Sequence, residues 1–245
     1  MNFQLIGDVM QALMLNLDPG EEVVAEAGSM LFCNQAVNFE AKMQGGLMGG
    51  LKRVVMGESL FLTHFHCMAP GGVVAFAAPY PGKVQAMPLE GNAWLCQRDS
   101  FLCATSGISS EIAFTRKFGT GLFGGEGFVL QRHSGRGTLF LHIGGNIVES
   151  TLTAGQTLRV DTGCIAAFEP SVNYDIQFVG GFKNALFGGE GLFLATLTGP
   201  GKVILQTLPF SRLAGRINGT TNEGSSSTGG VTGTFGDIGR IFGGE

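Results

Sequence analysis

Two histidines, His64 and His66, are the side chains whose type and spacing best fit a chemical role. On a β-strand, residues i and i+2 lie on the same face, so both imidazoles could bind one metal ion. A site of this kind normally includes a carboxylate close in sequence, but the chain continues with CMAPGG and has none there. The other two histidines, His133 and His142, also have no acidic residue nearby. We therefore predict neither a metal site nor a cofactor.

Three glutamates, Glu58, Glu126 and Glu190, recur after a glycine in the motifs MGES, GGEG and GGEG. Because glycine lets the backbone approach a ligand closely, three such loops could place carboxylates around a cation or a basic partner. Alternatively, each glutamate accepts hydrogen bonds from the backbone amides of its own loop and recurs because the unit was duplicated. The sequence leaves both interpretations open, and the three glutamates are candidate interaction residues.

The loops that precede these glutamates mix apolar and basic residues, as in GGLMGGLKRVV, FTRKFGTGLF and GGFKNALF. Apolar side chains next to cations are typical of proteins that bind an anionic membrane surface. The same side chains could instead pack against the next unit or subunit, and either interpretation predicts an interface. The candidate residues in these loops are Leu47, Met48, Leu51, Lys52, Arg53, Phe123 and Phe187.

Motifs for covalent or nucleotide chemistry are missing from the sequence. The segment TSGIS around Ser106 is not a G-x-S-x-G nucleophile turn, and the glycine-rich loops match no nucleotide-binding motif. The five cysteines contain no CxxC pair, so we predict free thiols that serve as small core residues in a reducing compartment. The sequence therefore predicts a protein that is not an enzyme.

The chain of 245 residues has 41 glycines, 44% hydrophobic residues and only 14% charged residues. This composition favours many short strands joined by tight turns, because glycine adopts φ > 0 without steric cost. The net charge of −4 disfavours nucleic acid as a partner, since nucleic acids bind to basic surfaces. No secretory signal, Arg-rich presequence or membrane-spanning run is recognisable, so we predict a soluble, cytoplasmic protein.

Internal repeats organise the chain. GLFGGEGFVLQ at 121–131 and ALFGGEGLFLA at 185–195 are offset by 64 residues, and this offset holds from 91 to 137 without a gap. An offset of 135 pairs VNFEAKMQGG at 37–46 with VNYDIQFVGG at 172–181. The offset then becomes 132, so the first copy has three extra residues in a glycine-rich loop, where structural repeats accept insertions. We predict three copies of one unit.

Each copy consists of short apolar or alternating segments separated by glycine turns, which indicates a β-sandwich or barrel. The predicted fold class is all-β, with three tandem β-sandwich or double-stranded β-helix repeats at 1–86, 87–150 and 151–211. Trp94 occupies a repeat position otherwise held by Val23 and Leu158 and is predicted to lie in the core. Residues 212–245 are rich in Gly, Ser and Thr and are predicted to form a flexible tail.

Several long motifs resemble one family. PGEEVVAEAGSM, VAFAAPYPGKV, RVDTGCIAAFEPSVNYDIQ and TGPGKVILQTLPFSR are similar to a bacterial member of the altered-inheritance-of-mitochondria type 24 family. The resemblance covers about residues 1–213 and implies three copies of a fold like that of the tryptophan-RNA-binding attenuation protein (TRAP). It also implies assembly into rings, with a homotrimer as the expected state. It carries over no catalytic residues, and the mitochondrial location of eukaryotic relatives does not transfer to this chain.

Three hypotheses about function follow from the sequence. The first is a non-enzymatic, self-assembling β-repeat scaffold or binding protein, expected to be a homotrimer with nine units. The second is a ring protein that binds a membrane surface peripherally through the glycine-rich loops. The third and least favoured is a cupin-like metalloenzyme that uses His64 and His66. The sequence names no ligand.

Overall fold

The computed structural model describes residues 1–43, 61–116, 128–178 and 193–223. Within these ranges the chain forms seventeen β-strands, two short 3-10 turns and one helix, α1, at Phe210–Glu223. The prediction of an all-β class is confirmed. Strands β1 to β17 are, in order, Asn2–Ile6, Ala12–Leu17, Glu22–Glu26, Met30–Cys33, Val37–Met43, Phe61–Cys67, Gly72–Ala77, Gly82–Gln97, Phe101–Thr105, Ile108–Arg116, Phe128–Gly144, Ile147–Leu152, Thr157–Asp161, Ile165–Phe168, Asn173–Phe178, Phe193–Thr198 and Gly201–Gln206.

Alternation of apolar and polar residues decides which face of each strand is buried. In β2, Leu13, Leu15 and Leu17 are at most 3% exposed, and the residues between them are more exposed. In β3, Val23 and Ala25 are buried in the same alternating pattern. Since successive side chains of a strand point to opposite faces, each of these strands has one face toward a core.

Three antiparallel sheets contain these strands. The first has the order β1-β2-β7-β4, and the third has the order β13-β16-β15. The largest sheet has ten strands in the order β12-β17-β14-β8-β11-β9-β3-β6-β5, with β10 paired to β11. Its centre is the pairing of the long strands β8 and β11, which runs from Gln97 opposite Leu130 to Gly82 opposite Gly144.

Two strand pairs in the largest sheet join distant parts of the chain. Strand β9 lies against β3, with Val24 opposite Ala104. Strand β14 lies against β8, with Leu95 opposite Phe168. These two pairings connect the first third of the chain to the middle third, and the middle third to the last.

Strands β4, β9 and β14 each have a bulge, at which one residue is skipped in the pairing with the neighbouring strand. The pairing of β4 with β7 skips Leu31, that of β9 with β11 skips Leu102, and that of β14 with β17 skips Ala166. A bulge bends its strand and increases the local twist of the sheet.

Three clusters of buried apolar side chains form the cores. Trp94 is only 7% exposed and belongs to one of them, which confirms its predicted core position. All five cysteines are free thiols, and Cys67, Cys96 and Cys103 are buried. Burial raises the pKa of the Cys96 and Cys103 thiols, so both remain protonated and unreactive.

Helix α1, at Phe210–Glu223, overlaps the first part of the segment that the sequence predicts as a flexible tail from residue 212 onward. Phe210, Leu213 and Ile217 recur at helical spacing, a pattern that the Gly/Ser/Thr-rich composition obscured. Residues 224–245 lie outside the described part of the chain. Contacts divide the chain into two units, Met1–Arg212 and Leu213–Glu245. In the first unit, Arg212 donates to Asp161 Oδ2 at 2.8 Å.

Candidate functional site

The loop residues predicted from the sequence as interaction sites all lie outside the described residues. The glutamates and the mixed apolar and basic side chains of the three glycine-rich loops therefore remain predictions. They are Leu47, Met48, Leu51, Lys52, Arg53, Glu58, Phe123, Glu126, Phe187 and Glu190. Two other features of the described residues carry functional information instead: a pair of open sheet edges and a cluster of histidines and glutamates.

Strand β4 is an apolar sheet edge. It is the last strand of the four-stranded sheet and, within the described residues, pairs with β7 alone. Its residues Met30, Leu31 and Phe32 are 38%, 58% and 45% exposed. Edge strands normally carry charges or proline because an open, apolar edge pairs readily with another chain. Strand β4 is short and bulged but has neither a charge nor a proline, and its exposed apolar residues make it a candidate interface.

Strand β13 is a second open edge. It ends the three-stranded sheet and pairs with β16 alone among the strands that the structure describes. No described strand pairs with the outer side of β13, and its Val160 is buried against the core beneath. Strands β4 and β13 thus belong to different sheets, with β4 in the first third of the chain and β13 in the last third.

The histidine–glutamate cluster lies on the end of the largest sheet, where β6 runs between β3 and β5. Register places Glu22 of β3 opposite His66, and Glu40 of β5 opposite His64. The two histidines are i and i+2 on β6 and share one face, as predicted. The opposite face of β6 carries Phe65 and Cys67 into the core, which keeps the histidine face toward solvent.

Distances within the cluster are short. Glu22 Oε1 lies 2.6 Å from His64 Nδ1 and 3.9 Å from His66 Nε2. Glu40 Oε1 lies 3.4 Å from His66 Nε2. One donor atom from each of Glu22, His64 and His66 fits within 4.8 Å of the other two, which is the spacing of ligands around one metal ion. The two imidazole rings are stacked at an interplanar angle of 16°.

Sequence reasoning missed Glu22 because it precedes His64 by 42 residues and reaches it only through strand pairing. The residues that directly follow His66 in sequence include no carboxylate. The signal was nevertheless present, since EEVVAEAG alternates as a strand and begins with two acidic residues. Register between two strands cannot be read from either strand alone.

Two shallow depressions flank the cluster. One has a volume of about 270 Å³ and is lined by Glu22, Lys42, His64, Ser106 and Ser110, among others. The other has a volume of about 460 Å³ and is lined by Asn38, Phe39, Glu40, His66 and Met68. The cluster is therefore half-buried and reachable from solvent on both sides.

Ser110 and His133 form a pair that superficially resembles a nucleophile and its base. Ser110 Oγ lies 2.8 Å from His133 Nδ1. His133 is fully buried and stacks on Phe101 with ring centroids 4.9 Å apart, and burial lowers its pKa to about 4. The enclosed His133 ring is part of the core and is closed to a substrate, although Ser110 borders a depression.

A third depression, of about 240 Å³, holds buried titratable groups. Burial raises the pKa of Glu26 to about 7, and its Oε2 is shielded from solvent without a hydrogen bond. Burial lowers the pKa of His142 to about 4, while its contact with Tyr80 partly opposes the shift. The Tyr80 and His142 rings meet edge to face at 4.6 Å.

No helix in the described residues is long and apolar enough to cross a membrane.

Comparisons with known proteins agree with this fold. A family model described as mitochondrial biogenesis AIM24 matches residues 3–208. An uncharacterised protein of Streptococcus pyogenes serotype M6 is 31% identical over 213 residues, which are 83% of this chain and 84% of that protein. A crystal structure of a Streptococcus pyogenes protein has a TM-score of 0.73 at 25% identity and covers 89% of this chain and 99% of its own.

Proposed function

This chain belongs to the mitochondrial biogenesis AIM24 family, and we propose that it is a non-enzymatic scaffold or binding protein that assembles through its β-repeats. Each chain contributes three copies of one unit, and three chains close a ring of nine units. The proposal rests on strand pairing inside the chain, which repeats between successive copies.

Two strand pairs, β3 with β9 and β8 with β14, join successive copies, and we call each pair a junction. The two junctions correspond to each other and support the three copies. An offset of 71, the difference between 135 and 64, carries Val24 to Leu95, and an offset of 64 carries Ala104 to Phe168. Val24 lies opposite Ala104, and Leu95 lies opposite Phe168. The first and second copies therefore join in the same register as the second and third copies.

Corresponding bulges support the same assignment. The skipped residues Leu31, Leu102 and Ala166 are separated by 71 and 64 residues, the offsets of the sequence repeat. Bulges are features that related structures retain. Their recurrence favours copies of one fold over three unrelated sheets.

One observation carries the assembly proposal: the junction is made twice within the chain, and its two halves remain open at the ends. Leu102 and Ala166 are at most 1% exposed, whereas the corresponding Leu31 is 58% exposed. Among the described strands, β4 of the first copy lacks the neighbour that β9 has in β3 and β14 has in β8. Strand β13 of the third copy is the strand that would provide it. We infer that β4 of one chain pairs with β13 of the next.

Pairing of β4 with β13 is a head-to-tail contact, in which two different surfaces meet. Such contacts produce closed rings when the rotation closes and filaments when it does not. Because β4 and β13 of one chain do not pair with each other, the three units of one chain do not close a ring by themselves. A closed ring therefore needs more than three units. The resemblance to ring-forming proteins favours nine units, which is a homotrimer.

A membrane-binding ring is the alternative proposal, and it depends mainly on loops outside the described residues. The described residues contain an apolar patch formed by the first strand and the turn after it: Phe3, Leu5, Ile6, Val9 and Met10. Next to this patch the exposed Asp8 carboxylate accepts from the Lys83 ammonium at 3.2 Å. The border therefore holds an ion pair and not a cluster of cations, and a cluster of cations is what attracts a protein to an anionic membrane.

Native mass tests the assembly. Light scattering after size exclusion at micromolar concentration should give about 77 kDa, three times the chain mass of 25.7 kDa. Leu31→Asp and Phe32→Asp should each reduce the mass toward the monomer, because an unpaired charge would be buried at the junction. Both residues are exposed in the single chain, so the variants should fold.

Met68→Asp is the matched control, because Met68 is 66% exposed but lies in a turn outside the junction. It should leave the mass unchanged. A monomeric mass for the natural protein would refute assembly, and a different multiple of 25.7 kDa would refute the trimer. Flotation with anionic liposomes is the corresponding test of the membrane alternative, which requires the protein to rise with the lipid.

A further inference from the structure

We propose that Glu22, His64 and His66 bind one divalent transition-metal ion per chain. The site is separate from the assembly edges and does not depend on the proposed function. It combines two imidazoles with one carboxylate, a donor set that favours Zn²⁺, Co²⁺ or Ni²⁺ over Mg²⁺ and Ca²⁺, which prefer oxygen ligands.

The strand geometry already brings the donor atoms to metal-binding spacing. In a tetrahedral zinc site with bonds of about 2.0–2.1 Å, neighbouring donor atoms lie about 3.3 Å apart. The distances from Glu22 Oε1 to His64 Nδ1 and His66 Nε2 are 2.6 and 3.9 Å, on either side of that value. Side-chain rotations alone would equalise them, because the three residues lie on the paired strands β3 and β6.

His66 supplies an independent observation. Its Nε2 is shielded from solvent and has no hydrogen-bond partner, although it faces the carboxylates of Glu22 and Glu40. A shielded polar atom without a hydrogen bond costs free energy. A metal ion bound between His66 and Glu22 would give this nitrogen a partner.

Glu40 supports the site from the other side. Its Oε1 lies 3.4 Å from His66 Nε2 and is also bonded by the Lys42 ammonium. Glu40 can act as a fourth ligand or can orient the His66 ring, as outer-shell carboxylates commonly do. Lys42 is 49% exposed and can turn toward solvent when a cation binds. The depressions beside His64 and His66 leave room for water on the metal.

The donor set occurs in one copy of the repeat only. In the second copy the positions of His64 and His66 are held by Arg132 and Ser134, and in the third by Thr196 and Thr198. Glu111 of the second copy corresponds to Glu40 and contacts Arg132 at 3.7 Å, an ordinary surface ion pair. The same scaffold therefore accommodates residues that do not bind metal, which defines variants expected to fold.

The experiment uses untagged, full-length protein treated with a chelator and then dialysed. Calorimetric titration with Zn²⁺ should give one site per chain, and Co²⁺ should produce the visible absorption of a low-symmetry, tetrahedral ion. Mg²⁺ and Ca²⁺ should give no heat of binding. Failure to bind Zn²⁺ and Co²⁺, or binding of all four ions equally, would refute the proposal.

The double variant His64→Arg/His66→Ser, which installs the residues of the second copy, should lose Zn²⁺ binding by at least about 100-fold, since loss of outer-shell groups alone costs about 10–100-fold. Glu22→Gln should weaken binding by at least about 10-fold. Glu111→Gln is the control and should change binding less than about twofold. Circular dichroism shows whether each variant is folded.

The location of the site is refuted if folded His64→Arg/His66→Ser binds as tightly as the natural protein. Equal weakening by Glu111→Gln and Glu22→Gln would indicate a general effect of surface charge and would also refute it. Light scattering of the same variants separates this proposal from the assembly, because metal binding can fail while the native mass stays at three chains.

Discussion

Val24 and Ala104 lie directly opposite each other across β3 and β9, although 80 residues separate them in sequence. Leu95 and Phe168 have the same relationship across β8 and β14. Extending the sequence offsets by one further step gives a third pair, Arg159 on β13 and Cys33 on β4. This third pair is not formed within the chain, so the proposed assembly predicts that it forms between two chains.

Arg159→Cys should therefore form a disulfide with the natural Cys33 of the next chain. Directly opposed residues in antiparallel strands have Cα atoms about 4.5–5.5 Å apart, within the range of about 4.4–6.8 Å that disulfides require. Mild oxidation at micromolar concentration should give covalent species of up to three chains on a non-reducing gel. Adding Cys33→Ser should abolish them.

Thr157→Cys is the matched control because Thr157 is exposed, lies on the same strand and faces the same side. It is displaced by two residues, and such diagonal neighbours lie about 7–8 Å apart, beyond disulfide reach. Equal cross-linking of both variants would show that the register is not specific. A disulfide between residues 33 and 159 of a single chain would contradict assembly.

The fold class was readable from the sequence because alternation in segments such as ALMLNL has a direct physical meaning. The family was readable from long motifs such as RVDTGCIAAFEPSVNYDIQ. The three copies stay a prediction that the recurring junctions and bulges support. The helix at Phe210–Glu223 was missed because its three apolar residues are diluted by Gly, Ser and Thr.

The candidate metal site was only half predictable. His64 and His66 were identifiable from their i, i+2 spacing, which needs only the geometry of one strand. Glu22 and Glu40 come from strands on either side, and their positions depend on register across two neighbours. A search limited to nearby residues cannot find ligands that a sheet brings together.

Phe140 should be a large contributor to stability. It is fully buried in β11, and its ring meets Phe3 edge to face with centroids 5.3 Å apart. Phe140→Ala should lower the free energy of unfolding by about 3–5 kcal/mol, because the loss of buried area leaves a cavity. Phe39→Ala is the control, since Phe39 is 55% exposed. Urea denaturation monitored by circular dichroism should show a much smaller effect for the control.

Acid should destabilise the protein through its two buried histidines. Burial lowers the pKa of both His133 and His142 to about 4 in the folded state, from an ordinary value of 6.5. As the pH falls from 6.5 to 4, the unfolded chain therefore binds a proton at each of these histidines while the folded chain does not. The free energy of unfolding decreases over this range. Each histidine contributes up to about 3 kcal/mol to this loss.

Thermal unfolding followed between pH 7 and pH 4 tests this prediction. His133→Phe should flatten the acid side of the profile, because phenylalanine fills a similar space beside Phe101 without titrating. The variant also removes the hydrogen bond to Ser110, which affects the unfolding temperature at pH 7. The relevant quantity is therefore the slope of the unfolding temperature against pH. An unchanged slope would contradict the assignment.

Glu26 should act in the opposite direction. Burial raises the pKa of Glu26 in the folded state to about 7 from an ordinary value of 4.5, so the folded chain holds a proton that the unfolded chain releases. Its contribution therefore decreases as the pH rises from 4.5 through 7, by up to about 3 kcal/mol. Glu26→Gln removes this titration and should gain stability relative to the natural protein as the pH rises from 5 to 8.

The difference in unfolding free energy between Glu26→Gln and the natural protein isolates this group, because the histidine contributions are common to both and cancel. Glu90→Gln is the control for the loss of a surface carboxylate, since Glu90 is exposed. Urea denaturation at pH 5, 6, 7 and 8 measures both differences. A flat difference for Glu26→Gln would mean that the Glu26 carboxylate is already ionised at pH 5, and that its side chain reaches solvent or a cation such as Arg98.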